Sequence, residues 1–94
     1  MDKKKLRYAI LKEIYNGNKM FTEKELKVTE EEFDEAVHYL HKEKYISGFI
    51  YADDRPWEFS ANAYLTEKGE NYLAENSSMA KTYKGLKEIR EWLF

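Results

Sequence analysis

The chain contains no cysteine, which excludes a disulfide framework and thiolate chemistry. With four glycines and one proline, it has no glycine- or proline-rich linker and no low-complexity segment. No apolar run approaches the length of a membrane span, and Lys12 and Glu13 interrupt the hydrophobic stretch that a signal peptide near the N-terminus would need. These absences predict a cytoplasmic protein without a membrane partner.

An excess of charge of one sign is also missing. Sixteen Lys and Arg face eighteen Asp and Glu, for a net charge of −2, which is not the composition of a protein that binds polyanions through bulk charge. What the chain does have is 43% hydrophobic and 16% aromatic residues. This content favours a packed core over disorder, and 94 residues suffice for one domain.

The sequence motifs that are typical of enzyme active sites are missing. There is no glycine-rich phosphate loop and no serine in a nucleophile-elbow motif. His38 and His41 lie three positions apart with Asp34 and Glu35 nearby, but a metal site needs three or four converging ligands with an oriented second shell. We therefore predict no enzyme activity, no catalytic residue, no metal and no cofactor.

A first helix is predicted from Asp2 to Asn16, closed by Gly17. Its apolar residues form two rows, so it must be covered on more than one side. One row, with Glu13 at its edge, is Leu6, Ala9, Ile10, Glu13 and Ile14, and the second is Tyr8, Leu11 and Tyr15.

Two capping boxes predict a helix-turn-helix. Thr22 with Glu25 opens a short helix ending near Leu26, and Thr29 with Glu32 opens a longer one whose first turn is acidic. The core face of this third helix is predicted to be Phe33, Ala36, Val37 and Leu40.

A hairpin is predicted next, with a strand at Tyr45–Ala52, a turn at Asp53–Pro56 and a returning strand at Trp57–Ala61. Thr66 then caps a helix from Glu67 to about Asn76. Gly69 lowers helix propensity there, so we expect it to permit close packing against a neighbour.

This order predicts an α+β fold, a winged helix-turn-helix of three helices and a two-stranded β-hairpin wing with additional C-terminal helices. Residues 1–94 form one domain, with a winged-helix core at 1–76 and an appended helix at 77–94 that begins its apolar stripe at Met79. The stripe either closes the core against the second row of the first helix or forms a homodimer. The candidate dimer face is Met79, Tyr83, Leu86, Ile89 and Leu93.

Four segments are distinctive: KLRYAILKEIYNGN (5–18), VTEEEFDEAV (28–37), ADDRP (52–56) and LTEKGENYL (65–73). They resemble the YjcQ family of small winged-helix proteins from Gram-positive bacteria and their phages. The resemblance covers nearly the whole chain and implies the winged-helix fold. It implies no activity or site residues.

The helix-turn-helix and wing predict binding of double-stranded DNA in a regulatory role, because the third helix of such a fold reads the major groove. The acidic residues on that helix oppose phosphate attraction, so a protein–protein adaptor that binds no DNA is the alternative. The basic run at the N-terminus is either a phosphate contact or a solvated helix start. Candidate contacts for DNA or a protein partner are Lys3, Lys4, Lys5, Arg7, Glu31, Glu32, Glu35, His38, Tyr39, Lys42 and Arg55.

Arg55 at the predicted wing tip has two interpretations. It enters a minor groove, or it pairs with Asp53 or Asp54. The wing aromatics likewise form a partner patch or pack on the core, and they are Tyr51, Trp57 and Phe59.

Overall fold

The computed structural model describes residues 1–48, 51–52, 55–56 and 63–94, with backbone alone for 51–52 and 55–56. Helix α1 spans Lys3–Tyr15 and is capped by the Asp2 side chain, which accepts from the backbone N–H groups of Lys4 and Lys5. All five residues of its first predicted row are buried, Glu13 included. In the second row Tyr8 and Leu11 are buried, whereas Tyr15 is 57% exposed.

The predicted helix-turn-helix is present. Helix α2 spans Glu23–Leu26 and helix α3 spans Glu30–Lys42, and both capping boxes form as predicted. Lys27 ends α2 in the left-handed conformation, with φ 60°. The predicted core face of α3 is buried throughout, at Phe33, Ala36, Val37 and Leu40.

In the part of the chain that is described, four short strands follow in two antiparallel pairs. Strand β1 (Ile46–Ser47) pairs with β4 (Tyr64–Leu65), with Ile46 opposite Leu65. Strand β2 (Tyr51–Ala52) pairs with β3 (Arg55–Pro56), with Ala52 opposite Arg55. The predicted turn at 53–56 was therefore too long, because Arg55 and Pro56 belong to a strand. The predicted returning strand at 57–61 lies outside the described residues.

Helix α4 spans Glu67–Glu75, with Thr66 as its cap. Thr66 also donates its hydroxyl to the Lys44 carbonyl at 2.5 Å, which joins α4 to the end of α3. A Cβ on Gly69 would overlap the Tyr45 carbonyl oxygen and lie 3.1 Å from the carbonyl carbon. The expectation that Gly69 permits close packing is confirmed.

The C-terminal region is not the continuous helix that the sequence predicts. It consists of α5 (Ser77–Thr82), a 3₁₀ turn at Leu86–Glu88 and α6 (Ile89–Leu93). The break falls at Tyr83, which is extended, and at Gly85, whose φ of +95° favours glycine. The break lets the chain turn back, so that Ile89 and Leu93 reach the core.

The core is built around α1, which packs on α3, α4, β4 and α6. Its largest fully buried side chains come from helices, strand β1 and the segment before α2: Leu6, Tyr8, Ile10, Leu11, Phe21, Leu26, Val37, Leu40, Ile46 and Ile89. The fold is α+β, as predicted, and the order of helix-turn-helix and β-hairpin is consistent with a winged-helix layout.

Candidate interaction face of the third helix

Helix α3 presents an outer face opposite its buried residues. Glu31, Glu35, His38 and Lys42 are exposed, and Glu32 and Tyr39 are half-buried. Thr29 and Glu32 fix the start of the helix, because each side chain bonds the backbone N–H of the other. The structure therefore brings all six α3 candidates to this outer face and its flank.

The N-terminus of α1 lies along one flank of this face. Lys3 Nζ is 2.9 Å from Glu35 Oε1, and the two side chains are 64% and 54% exposed. The hydrogen bond from Lys3, followed by its charge, lowers the pKa of Glu35 below its ordinary value. An ion pair this exposed contributes little to stability, so solvent or a partner can compete for either group.

Arg7 is held more firmly than Lys3. Its guanidinium lies 3.6 Å from the centroid of the Tyr39 ring, the geometry of a cation–π stack. Its Nε is buried and has no hydrogen-bond partner. The planar face of the Arg7 guanidinium therefore packs on the surface of α3.

Lys5 turns to the C-terminus instead. Its Nζ donates to the Trp92 carbonyl at 3.2 Å and lies 5.4 Å from the Trp92 ring centroid. The backbone N–H of Asp2 donates to the Leu93 carbonyl, so the two ends of the chain are joined here. Of the predicted basic run, Lys4 is exposed, Lys3 is paired with Glu35, and Lys5 and Arg7 contact the protein's own groups.

Between α1 and α3 lies a small pocket of about 110 Å³. Its wall on α3 carries Glu32, Glu35 and Ala36, and its wall on α1 carries Lys3, Leu6 and Arg7. The pocket is too small for a drug-sized ligand. It suits the end of one long side chain.

An aromatic cluster continues the contact from α3 to α4. The ring centroids of Tyr39 and Tyr45 are 6.5 Å apart, and those of Tyr45 and Tyr72 are 5.2 Å apart. Lys68 Nζ lies 4.9 Å from the Tyr45 ring and donates to the Glu43 carbonyl. Burial raises the pKa of Tyr72. This cluster fixes the end of α3 against α4.

Some of the candidate dimer residues are buried in the core of a single chain. Ile89 and Leu93 are buried, and Met79, Tyr83 and Leu86 are partly buried against the core. The intramolecular alternative for the stripe therefore holds for Ile89 and Leu93. A second copy can reach those two side chains only if the core opens. Dimerisation itself stays a prediction.

Tyr83 joins the C-terminal segment to α1. Its hydroxyl donates to Glu13 Oε2 at 2.5 Å, and Glu13 Oε1 accepts from the Asn18 side chain at 2.8 Å. The Tyr83 ring meets Tyr8 and Trp92 in edge contacts, with centroids 6.1 Å and 4.9 Å away. Burial, followed by the bond to Glu13, raises the pKa of Tyr83.

Sequence reasoning did not find two relationships in this region. The stack of Arg7 on Tyr39 and the bond between Tyr83 and Glu13 both join distant parts of the chain. The available signal was a carboxylate, Glu13, within an apolar row, since a buried acid requires a donor. Nothing in the sequence indicated which donor.

The predicted wing contacts fall mostly outside the described side chains. Only the backbone of Arg55, in β3, is described, and the side chains of Tyr51, Trp57 and Phe59 lie outside the described residues. In the part of the chain that the structure describes, no three His, Cys, Asp or Glu side chains are grouped to hold a metal ion. Among the same residues, no helix has the length and apolar character to cross a membrane.

These elements define a class of protein: small α+β domains in which a capped helix-turn-helix leads into a β-hairpin. The sequence profile of the YjcQ protein family matches residues 4–92, and the chain belongs to this family. It is 54% identical over 93 residues to the "Uncharacterized protein YjcQ" of Bacillus subtilis (strain 168), covering 99% of each chain.

A solved structure is similar as well. The solution NMR structure of the YjcQ protein from Bacillus subtilis aligns with a TM-score of 0.68 and 50% identity. The alignment covers 85% of this chain and 97% of that one. Together these matches confirm the family resemblance of the sequence and the α+β fold.

Proposed function

We propose that the chain is a non-enzymatic winged-helix module that binds a basic segment of another protein through the outer face of α3. The observation that carries this proposal is the charge of that face. Glu31 and Glu35 are exposed on it, and Glu32 stands half-buried beside them. Such a surface attracts Lys and Arg and repels phosphate.

The N-terminal cations do not reverse this charge. Lys5 is turned to Trp92, and Arg7 lies flat on the Tyr39 ring at the flank of the face, where its charge offsets only part of the charge of the three carboxylates. Lys3 neutralises Glu35 through an exposed pair that a cation of the partner can replace. The pocket beside this pair accepts one long side chain.

Double-stranded DNA is a second candidate partner, in a regulatory role. It is favoured by the capped α2–α3 unit that leads into a hairpin, since winged helices commonly use this arrangement on DNA. In this alternative Lys4 and Lys42 are exposed and available for phosphate contact, together with Lys3 once it leaves Glu35. Its acidic neighbours weaken the electrostatic attraction on which duplex binding depends.

Amide NMR on the full chain separates the two candidates. A peptide of alternating Lys and Gly and a random-sequence duplex are each titrated at low salt. The proposal predicts that the peptide shifts amides of α3 and of the first turn of α1, and that the duplex does not. If the duplex but not the peptide shifts amides of α3, DNA binding becomes the favoured function and binding of a basic protein segment is rejected.

A matched pair of variants locates the site. Glu31→Gln removes one exposed carboxylate from α3, and Glu91→Gln removes one exposed carboxylate from α6. Only the first is expected to weaken the peptide-induced shifts. Equal effects of both would assign the shifts to overall charge.

A further inference from the structure

A groove runs between α1 and α4 on a side of the molecule that α3 does not line. It has a volume of about 390 Å³. The buried side chains of Tyr8 and Leu73 form part of its floor. The small side chains of Ala74 and Ala80 also line the groove and leave space within it. This groove plays no part in the proposed function.

The groove exposes an aromatic side chain that the sequence predicts to be covered. Tyr8, Lys12 and Tyr15 follow one another on α1 at helical spacing and line one wall. Tyr15 is nevertheless 57% exposed, because the C-terminal segment breaks at Gly85 and packs on Tyr8 instead. An exposed ring beside small side chains leaves room for a partner's ring.

The two walls carry opposite charges. Lys12 lies on the α1 wall, with its Nζ 5.4 Å from the Tyr15 ring, and Glu70 lies on the α4 wall in the first turn of that helix. Within the described residues no ion pair joins them. A groove with a cation on one wall and an anion on the other is complementary in charge to a second copy of itself. A two-fold axis can then place Lys12 of each copy against Glu70 of the other.

We propose that this groove is a homodimer interface, in which two copies pair Lys12 with Glu70 reciprocally and pack their Tyr15 rings into the space above Ala74 and Ala80. The interface differs from the predicted C-terminal face, of which Ile89 and Leu93 are buried in the core.

Reciprocal charge reversal tests the pairing. Sedimentation equilibrium on the full chain, from about 10 μM to 1 mM, is expected to show a monomer–dimer equilibrium. Lys12→Glu and Glu70→Lys each place two like-charged pairs in the homodimer, and each should raise the dissociation constant at least about tenfold. An equimolar mixture of the two variants restores both ion pairs, and we expect it to form heterodimers about as well as the parent chain.

The control for net charge is Lys24→Glu, an exposed lysine on α2 that does not line the groove. It should leave the equilibrium unchanged. Dispersed amide spectra verify that each variant is folded. If Lys12→Glu is not folded, Lys12→Gln replaces it, and if Glu70→Lys is not folded, Glu70→Gln replaces it. A parent chain that is monomeric at 1 mM, a mixture that does not associate, or an equal effect of Lys24→Glu would each overturn the proposal.

Discussion

The Tyr83 hydroxyl donates a 2.5 Å hydrogen bond to Oε2 of Glu13. This bond joins residues 70 positions apart and fixes the C-terminal segment on α1, the helix at the centre of the core. The same helix carries Lys3 and Arg7, which contact α3 beside the candidate interaction face.

Removing the hydroxyl should therefore destabilise the fold. Tyr83→Phe removes one donor from the mostly buried Glu13 carboxylate, which also accepts from the Asn18 side chain, so we expect a loss of about 1–3 kcal/mol in the free energy of unfolding. Urea titration followed by circular dichroism measures it. Tyr64→Phe, which removes a hydroxyl from an exposed ring, is the control and should change little.

Stability should also decrease at alkaline pH. Burial and the bond to Glu13 raise the pKa of Tyr83, and burial raises the pKa of Tyr8. A pKa that is higher in the folded state than in the unfolded state gives stability that is complete below the unfolded value, about 10 for tyrosine, and lost as the pH rises above it. The free energy of unfolding should therefore fall above about pH 10.

The same titrations on Tyr83→Phe check the assignment. If Tyr83 contributes, the decrease above about pH 10 is shallower in the variant than in the parent chain. Identical slopes in the two proteins would assign the alkaline loss to other groups.

At Gly69, packing and helix propensity predict opposite effects of an alanine substitution on stability. Alanine is favoured over glycine inside a helix by about 1 kcal/mol. At this position its Cβ would overlap the Tyr45 carbonyl oxygen, a backbone atom that cannot rotate away. We expect Gly69→Ala to destabilise the protein by about 1–3 kcal/mol. A melting temperature equal to or above that of the parent chain would refute the close approach.

The contrast between Gly69 and Gly85 indicates how far sequence reasoning extends. The caps at Thr22, Thr29 and Thr66 were predictable because a capping residue and its partner lie within three positions of each other. Gly69 was predictable as a packing site because it sits within a periodic helix. Gly85 was not recognised as the helix break, because a glycine among good helix formers ends a helix only when tertiary contacts favour the turn.

At the candidate interaction face, too, the local pattern predicted some features and tertiary contacts determined others. The outer side of α3 follows from the 3.6-residue period, so its carboxylates were placed correctly. The partners of Lys3, Lys5 and Arg7 depend on how α1 lies across α3 and α6, which no local pattern encodes. A basic run in the sequence therefore did not indicate a basic surface in the fold.

The stack of Arg7 on Tyr39 can be measured by a double-mutant cycle. Arg7→Met keeps an unbranched chain but removes the guanidinium, and Tyr39→Leu removes the ring. We expect a coupling free energy of about 0.5–1 kcal/mol from the four unfolding free energies. Tyr39→Phe keeps the ring and should preserve most of the coupling. A coupling of zero would mean that the contact does not contribute to stability.

If the acidic outer face of α3 binds a basic protein segment, removing its carboxylates must affect a cationic peptide and a DNA duplex in opposite directions. The variant Glu31→Gln/Glu35→Gln is titrated with the Lys-Gly peptide and with the random-sequence duplex at one low salt concentration, and the dissociation constants are measured by fluorescence anisotropy. The peptide is expected to bind the variant about two- to fivefold more weakly than the parent chain, while any duplex binding is unchanged or strengthened. Unchanged peptide binding, or weaker duplex binding, would contradict it.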